Sequence, residues 1–277
     1  MQEDIVLRHL KTIPEMRSMQ EVEQSVWKME SPVPIHQTLT VAKNGGILIG
    51  AFHGEEMVGM LYSFPGFLNG QVYLCSHMMG IKSGWRHRGI GERLKRAQAE
   101  AALAHGYRLI TWTYDPLETA NGYLNVGKLG VVCSTYIEDC YGDMPDQLNQ
   151  GLPSDRFQVE WWIDQDRPPL PQGDEQDLLR WQLTAGGLPQ PVQVVDNIPD
   201  AQILSVAVPA YFQDIKQKDM ELAKAWRQAT RQVFTRSFAA GWAVAGFRCH
   251  RGEPVHEYLL VQRRLLSLPQ APWQKGE

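Results

Sequence analysis

Cysteine is scarce in this chain, and its placement excludes several chemistries. Among 277 residues only Cys75, Cys133, Cys140 and Cys249 occur, and none of them falls in a C-x-x-C spacing. That sets aside zinc ribbons, redox pairs and a disulfide framework, so the four are expected to be reduced core thiols and no metal is expected. No window approaches the ~20 consecutive apolar residues of a membrane span. The opening Met-Gln-Glu-Asp-Ile-Val lacks a basic stretch followed by an apolar core, so a cytoplasmic protein off the membrane is expected. Long basic runs are missing too. With 27 lysines and arginines against 31 acidic residues, the net charge is −4, which argues against a nucleic-acid surface and leaves small partners.

A hydrophobic fraction of 43% is enough to build ordinary cores. Residues 4 to 10 suit a first strand, and Glu15, Met16, Met19, Val22, Val26 and Trp27 a helical region that Pro32 and Pro34 end. The runs 47–52 and 57–62, joined by His53-Gly54-Glu55-Glu56, make a hairpin. Strands follow at 72–81 and 108–114, a helix at 117–128, and strands at 131–137 and 157–163. Tyr141 to Arg156, with Asp143, Pro145, Asn149, Gly151 and Pro153, is a long loop of the kind that carries function. The Pro-rich stretch 166–174 reads as a linker. It divides a first domain, 1–165, from a C-terminal αβ module, 175–277, whose long helix 213–239 carries Trp226, Val233, Phe234 and Phe238 along one side. Alone this module would bury little surface, so it is expected to pack on the first domain or to mediate a homodimer.

The most informative stretch is Arg86-His87-Arg88-Gly89-Ile90-Gly91. It lies between the 72–81 strand and a helix in which Ile90, Leu94, Ala97, Ala101 and Ala104 form one face, while Glu92, Arg93, Lys95, Arg96 and Glu100 form the other. The two glycines open that helix. A helix start offers unpaired N–H groups and the positive end of its dipole, and glycine lets a pyrophosphate approach the backbone. Arg86 adds a cation. A dinucleotide-binding turn would put a third glycine where Leu94 stands, and Asp115 is the one feature in its favour. A nucleoside-triphosphate loop would need Gly-Lys-Ser/Thr, which is absent.

Arg86-x-x-Gly89-x-Gly91 fits the Arg/Gln-x-x-Gly-x-Gly/Ala turn that binds the acyl-CoA pyrophosphate, and the chain resembles the GNAT superfamily of N-acetyltransferases over roughly residues 3 to 164. Ile81, five positions ahead of Arg86, and Lys128-Leu129-Gly130, closing the next helix, extend the likeness. Tyr141-Gly142-Asp143-Met144-Pro145-Asp146, Gly151 to Phe157 and Trp161-Trp162 look like a longer subgroup, some members of which are associated with N-acylamino-acid metabolism. The resemblance implies an α/β (α+β) fold with a mixed, mostly antiparallel sheet flanked by helices. It also implies direct attack of an amine on acetyl-CoA or another acyl-CoA, without a covalent enzyme intermediate.

In such folds the pantetheine arm pairs with strand backbone, here Met79-Gly80-Ile81, and the pyrophosphate with Arg86, His87, Arg88, Gly89, Ile90, Gly91 and Glu92. Asn121 and Asn125 are the helix residues implied to hydrogen-bond the arm. Strand alternation puts His77 with Met79 and Ile81, which makes His77 the first candidate base and Asp115 the second. The family's tyrosine acid falls at Val126, so Tyr123, Tyr136 and Tyr141 stay open, with Tyr141 taken as the catalytic choice. Arg156 suits a bidentate clamp on a carboxylate, either of the acceptor or of a dicarboxylic acyl group. The leading expectation is therefore an acyl-CoA-dependent N-acyltransferase, acetyl or succinyl, acting on the primary amine of a small molecule such as an amino acid. A catalytically silent acyl-CoA-binding module is the alternative, and a dinucleotide-dependent oxidoreductase the third.

Overall fold

The structure, a computed structural model, describes residues 4–28, 31–142, 151–166 and 169–274. Asp143, Pro145 and Asn149 of the expected loop, and Pro168 of the expected linker, lie outside the described residues. The architecture is mixed α/β with mostly antiparallel strands flanked by helices. It divides into two compact units. One comprises Met1–Trp112, Trp162–Gln165 and Ala271–Glu277; the other comprises Thr113–Trp161 and Asp166–Gln270.

The first unit begins with β1 (Ile5–His9) and α1 (Ile13–Trp27). A capping box starts α1, with Thr12 and Glu15 satisfying each other's backbone N–H. Met16, Met19 and Val22 are buried against Met60 and Tyr62 of the sheet. A second helix, α2 (Ile35–Lys43), follows the prolines; it was not expected, because nine residues starting at a Pro N-cap without a side-chain bond give little local signal. Then come β2 (Ile47–His53), β3 (Glu56–Leu68) and β4 (Gln71–Ile81). The β3–β4 hairpin is longer than expected. Asn69 and Gly70 both take positive φ, 50° and 77°, the pair a two-residue hairpin turn requires, so the Asn-Gly dipeptide was the readable signal.

After a 3₁₀ turn (Ser83–Trp85) come α3 (Ile90–Ala104) and β5 (Leu109–Tyr114). Strand order in this unit is β1-β2-β3-β4-β5, antiparallel except for β4 with β5. The buried positions of α3 are Ile90, Leu94, Lys95, Gln98 and Ala102. Lys95, expected on the solvent face, is thus inside.

The second unit opens with α4 (Thr119–Gly122), whose last turn widens into a π-helical segment (Tyr123–Leu129) closed by Gly130 at φ 74°. β6 (Val132–Ile137) and β7 (Arg156–Trp162) pair antiparallel. Beyond lie β8 (Glu175–Asp177), β9 (Leu179–Leu183), β10 (Pro189–Val194), β11 (Ile203–Pro209), α5 (Phe212–Lys218), α6 (Met220–Ala239), β12 (Trp242–Arg248) and β13 (Val255–Gln262). The single helix expected over 213–239 is two, because Asp219 leaves the helical conformation to cap α6 through the Leu222 N–H. Strand order here is β7-β6-β12-β13-β11-β8, with β9 and β10 as a separate hairpin. The core is aromatic: Phe157 of β7 lies edge-on to Phe234 of α6 (4.7 Å) and Tyr258 of β13 (5.4 Å). Of the cysteines only Cys133 is fully buried, and Cys249 is exposed at the end of β12, contrary to the expectation of four core thiols.

Candidate active site

In the first unit, the expected phosphate turn is built as its letters require. Arg86, His87, Arg88 and Gly89 are exposed, and Ile90 turns into the core. His87 and Gly89 both adopt left-handed backbone, at φ 63° and 76°, and Gly89 is the N-cap of α3. No side chain caps the helix at Gly89, so the backbone N–H groups of Ile90 and Gly91 open the helix without a side-chain cap. A Cβ at Gly89 would meet nothing within 4 Å. The residues therefore fit an anionic group at the helix start. The five-residue spacing from Ile81 to Arg86 has a direct cause: Arg86 Nε donates to the Ile81 carbonyl at 3.2 Å, tying the turn to the strand end. Arg88 lies over the Trp85 ring at 4.8 Å. The Glu92 carboxylate bonds Arg96 (2.9 Å).

The edge of β4 is open where the pantetheine arm is expected. Its ladder with β5 comprises Leu74↔Ile110 and Cys75↔Thr111 and goes no further, so Met79, Gly80 and Ile81 have no ladder partner on that side among the described residues. Gly80 also packs closely under α1. A Cβ there would sit 2.7 Å from Trp27 of α1, so helix packing already demands glycine.

His77 is not on the face expected. Tyr62 pairs with Met78 but Ser63 pairs with Ser76, so His77 is the extra residue of a β-bulge. The bulge breaks the alternation. His77 stands with Tyr62 (5.8 Å) and Phe64 (5.6 Å) on the α1 side, while Ser76, Met79 and Ile81 belong to the α3 side. The edge of the imidazole is exposed, yet the two rings beside it displace water and lower its pKa below the ordinary 6.5. It is neutral at pH 7, as a base must be.

In the second unit the other candidates form a dense charged network. Asp115 accepts from Arg227 at both oxygens, with Nη1 at 3.0 Å from Oδ1 and Nη2 on Oδ2, and its Oδ1 also takes the Leu117 N–H at 2.8 Å. Arg156 Nη1 stands 3.7 Å from the same carboxylate. Such an Asp is an ion-pair partner and a turn cap. Arg156, the first residue of β7, is 7% exposed, so it is no surface residue; its guanidinium lies 5.5 Å from the Tyr141 ring. Asp155 is fully buried. Burial pushes its pKa up, but bonds from Arg231 (2.7 and 2.8 Å) and Tyr136 (2.6 Å) outweigh that and hold it below the usual range.

The Tyr141 hydroxyl shares a 2.7 Å hydrogen bond with Thr113, and burial raises its pKa, which keeps the proton in place at neutral pH. Tyr136 is committed to Asp155, and Tyr123 is exposed. Val126, at the family's tyrosine position, is fully buried. Asn125 is buried in the π-helical segment and Asn121 is exposed. Nothing in the local sequence around Asp115 pointed to Arg227, since the pair closes a 112-residue separation. Among the described residues no group of three or more His, Cys, Asp or Glu is gathered as metal ligands are, and no helix is long and apolar enough to cross a membrane.

Residues 13–126 match the family model described as Acetyltransferase (GNAT) family. No curated protein matches the sequence. Among solved structures, a GNAT-family acetyltransferase from Streptococcus pneumoniae is 14% identical over 57% of this chain and 98% of its own, with a TM-score of 0.46. The ribosomal-protein-S18-alanine N-acetyltransferase from Escherichia coli is 12% identical over 61% and 100%, TM-score 0.47. A Salmonella typhimurium protein solved with its cofactor acetyl-CoA is 11% identical over 60% and 98%, TM-score 0.48. The open β4 edge and the glycine-opened helix both lie within residues 13–126, the stretch that is similar to the GNAT acetyltransferase family.

Proposed function

We propose that the protein is an acyl-CoA-dependent N-acyltransferase that moves an acetyl or succinyl group to the primary amine of a small molecule, with amino acids the favoured class. The observation that carries this is the pairing of an uncapped, glycine-opened helix start with an open strand edge directly before it. The first suits the pyrophosphate, and the second offers N–H and C=O groups to the amides of the arm. On this reading acyl-CoA is a co-substrate, and no metal takes part.

The attacking nitrogen must be neutral, so a base has to take its proton as the new C–N bond forms. His77 is that base. Backbone N–H groups of Met79 to Ile81 support the carbonyl oxygen as it gains charge. The C–S bond then breaks, and the thiolate takes a proton from Tyr141, whose raised pKa keeps it supplied. Arg156 holds a carboxylate by its planar fork, and Asp115 keeps the neighbouring Arg227 in place. Partners on this reading are small amines, without nucleic acid or membrane, in a cytoplasmic protein that forms a homodimer.

One observation favours a second reading, a catalytically silent acyl-CoA-binding module: Asp115 is committed to Arg227, and position 126 is a buried valine. The deciding experiment is release of free thiol from acetyl-CoA and succinyl-CoA over a panel of amino acids, their amides and simple amines. Acceptor-dependent release supports the enzyme. Tight CoA binding with no release from any acceptor supports the module, and binding of NAD in preference to CoA would defeat both.

A further inference from the structure

The ladder between β4 and β5 ends abruptly. After Leu74↔Ile110 and Cys75↔Thr111, the next pair in parallel register would be Ser76 with Trp112, and it does not form. What stands at that point is Lys95. Its side chain enters from α3 and is buried, 2% exposed, on a face otherwise lined by Ile90, Leu94 and Ala102. The amino group donates to Ser76 Oγ at 2.8 Å and to Gln98 Oε1 at 3.3 Å, and lies 3.4 Å from the centroid of the Trp112 ring. Gln98, fully buried, donates in turn to Ser76 Oγ at 3.0 Å. One amine therefore touches both members of the pair that fails to form.

A buried lysine and glutamine on the inner stripe of a helix are costly unless their polar atoms are satisfied. Here they are satisfied, by each other, by one strand's hydroxyl and by the other strand's aromatic face. Burial drives the lysine pKa well below its ordinary value, with Cys75 opposing. The bulk of the side chain and its donor bonds persist in either protonation state. An apolar residue at this position would pack as well on Leu94 but would hold neither Ser76 nor the ring.

We propose that Lys95 is a positioning residue for the acyl-CoA arm: gripped by Ser76, Gln98 and Trp112, it wedges β4 away from β5 at the end of their ladder and keeps the backbone of His77–Ile81 open. This rests on the acyl-CoA reading above. The residue touches neither the reacting atoms nor the nucleotide; it acts through the strand.

The test compares the full chain with Lys95→Met, which keeps length without donors. Calorimetry measures CoA against adenosine 3′,5′-diphosphate, which lacks the arm, and hydrogen exchange follows the amides of His77–Ile81 without ligand. Lys95→Met is expected to weaken CoA by about tenfold or more, the worth of one or two backbone hydrogen bonds, with the diphosphate within about twofold. The 77–81 amides should exchange more slowly as the ladder extends. Unchanged CoA affinity with unchanged exchange would show that the bulge alone separates the strands, overturning the wedge and leaving the acyl-CoA reading intact. Equal weakening of both ligands would mark Lys95 as merely structural and also overturn it. A wild-type protein that binds neither ligand would overturn the underlying reading. If Lys95→Met does not fold, Gln98→Leu takes its place, with the same selective loss of CoA expected to a smaller degree and equal or absent losses counting against the proposal.

Discussion

Arg227 of α6 closes on Asp115 with both terminal nitrogens, and the two side chains are 3% and 11% exposed. A carboxylate held this way contributes to the stability of the second unit. Removing one partner leaves a buried charge alone, so Arg227→Met should cost about 3–5 kcal/mol. The double variant Arg227→Met/Asp115→Leu should recover a good part of that loss. Thermal and urea unfolding of the three variants checks both, and additive losses would show the pair to be uncoupled.

His77→Ala should reduce turnover by about 100-fold or more while leaving the KM for acyl-CoA unchanged, because a base acts on the amine. The lowered pKa of His77 sets the pH dependence. Wild-type turnover should rise with pH through a value below 6.5, and that limb should vanish in the variant. The stability effect has the same sign. The unfolded chain binds this proton more tightly, so the contribution of neutral His77 is complete above 6.5 and is lost as pH falls through the folded value. If the acidic limb is identical in both proteins, the base is another group.

Gly89 needs its left-handed backbone and has empty space around it. Gly89→Asn, a residue that tolerates this conformation, should melt close to wild type, whereas Gly89→Val should lose roughly 1–2 kcal/mol. CoA binding should disappear in the valine variant. Calorimetry with CoA beside a melting curve separates loss of the ligand from loss of the fold. Wild-type affinity in Gly89→Val would sink the phosphate assignment.

Arg156→Lys should already impair an amino-acid acceptor, since an ammonium cannot reproduce a planar two-point contact. The expected loss is about 1.5–3 kcal/mol in kcat/KM, with CoA affinity unmoved. Amino acids are compared with their amides in both proteins. No wild-type preference for the free carboxylate, and no loss in the variant with either acyl-CoA, would leave Arg156 a structural residue.

A fragment of residues 174–277 should not fold by itself. Phe234 and Tyr258 pack on Phe157, and β12 pairs with β6 at Val244↔Cys133, so the fragment lacks the aromatic centre of its core and two strands of its sheet. A cooperative melt of this fragment by circular dichroism would contradict that.

What the amino-acid sequence determined by itself were the features whose causes lie within a few residues. The strand, turn and helix around Arg86 to Gly91 follow from a short apolar run, two glycines and a helical stripe, and the Ile81 to Arg86 spacing is the reach of one arginine side chain. Gly130 ends its helix because only left-handed backbone closes that turn. Tertiary structure decided the rest, where identity depends on what arrives from elsewhere. Lys95 reads as a solvent-facing residue until Ser76 and Trp112 surround it. Asp115 reads as a candidate base until α6, 112 positions away, supplies Arg227. His77 changes face because a single extra residue in β4 reverses the alternation, and the register of a strand belongs to its partner as much as to itself.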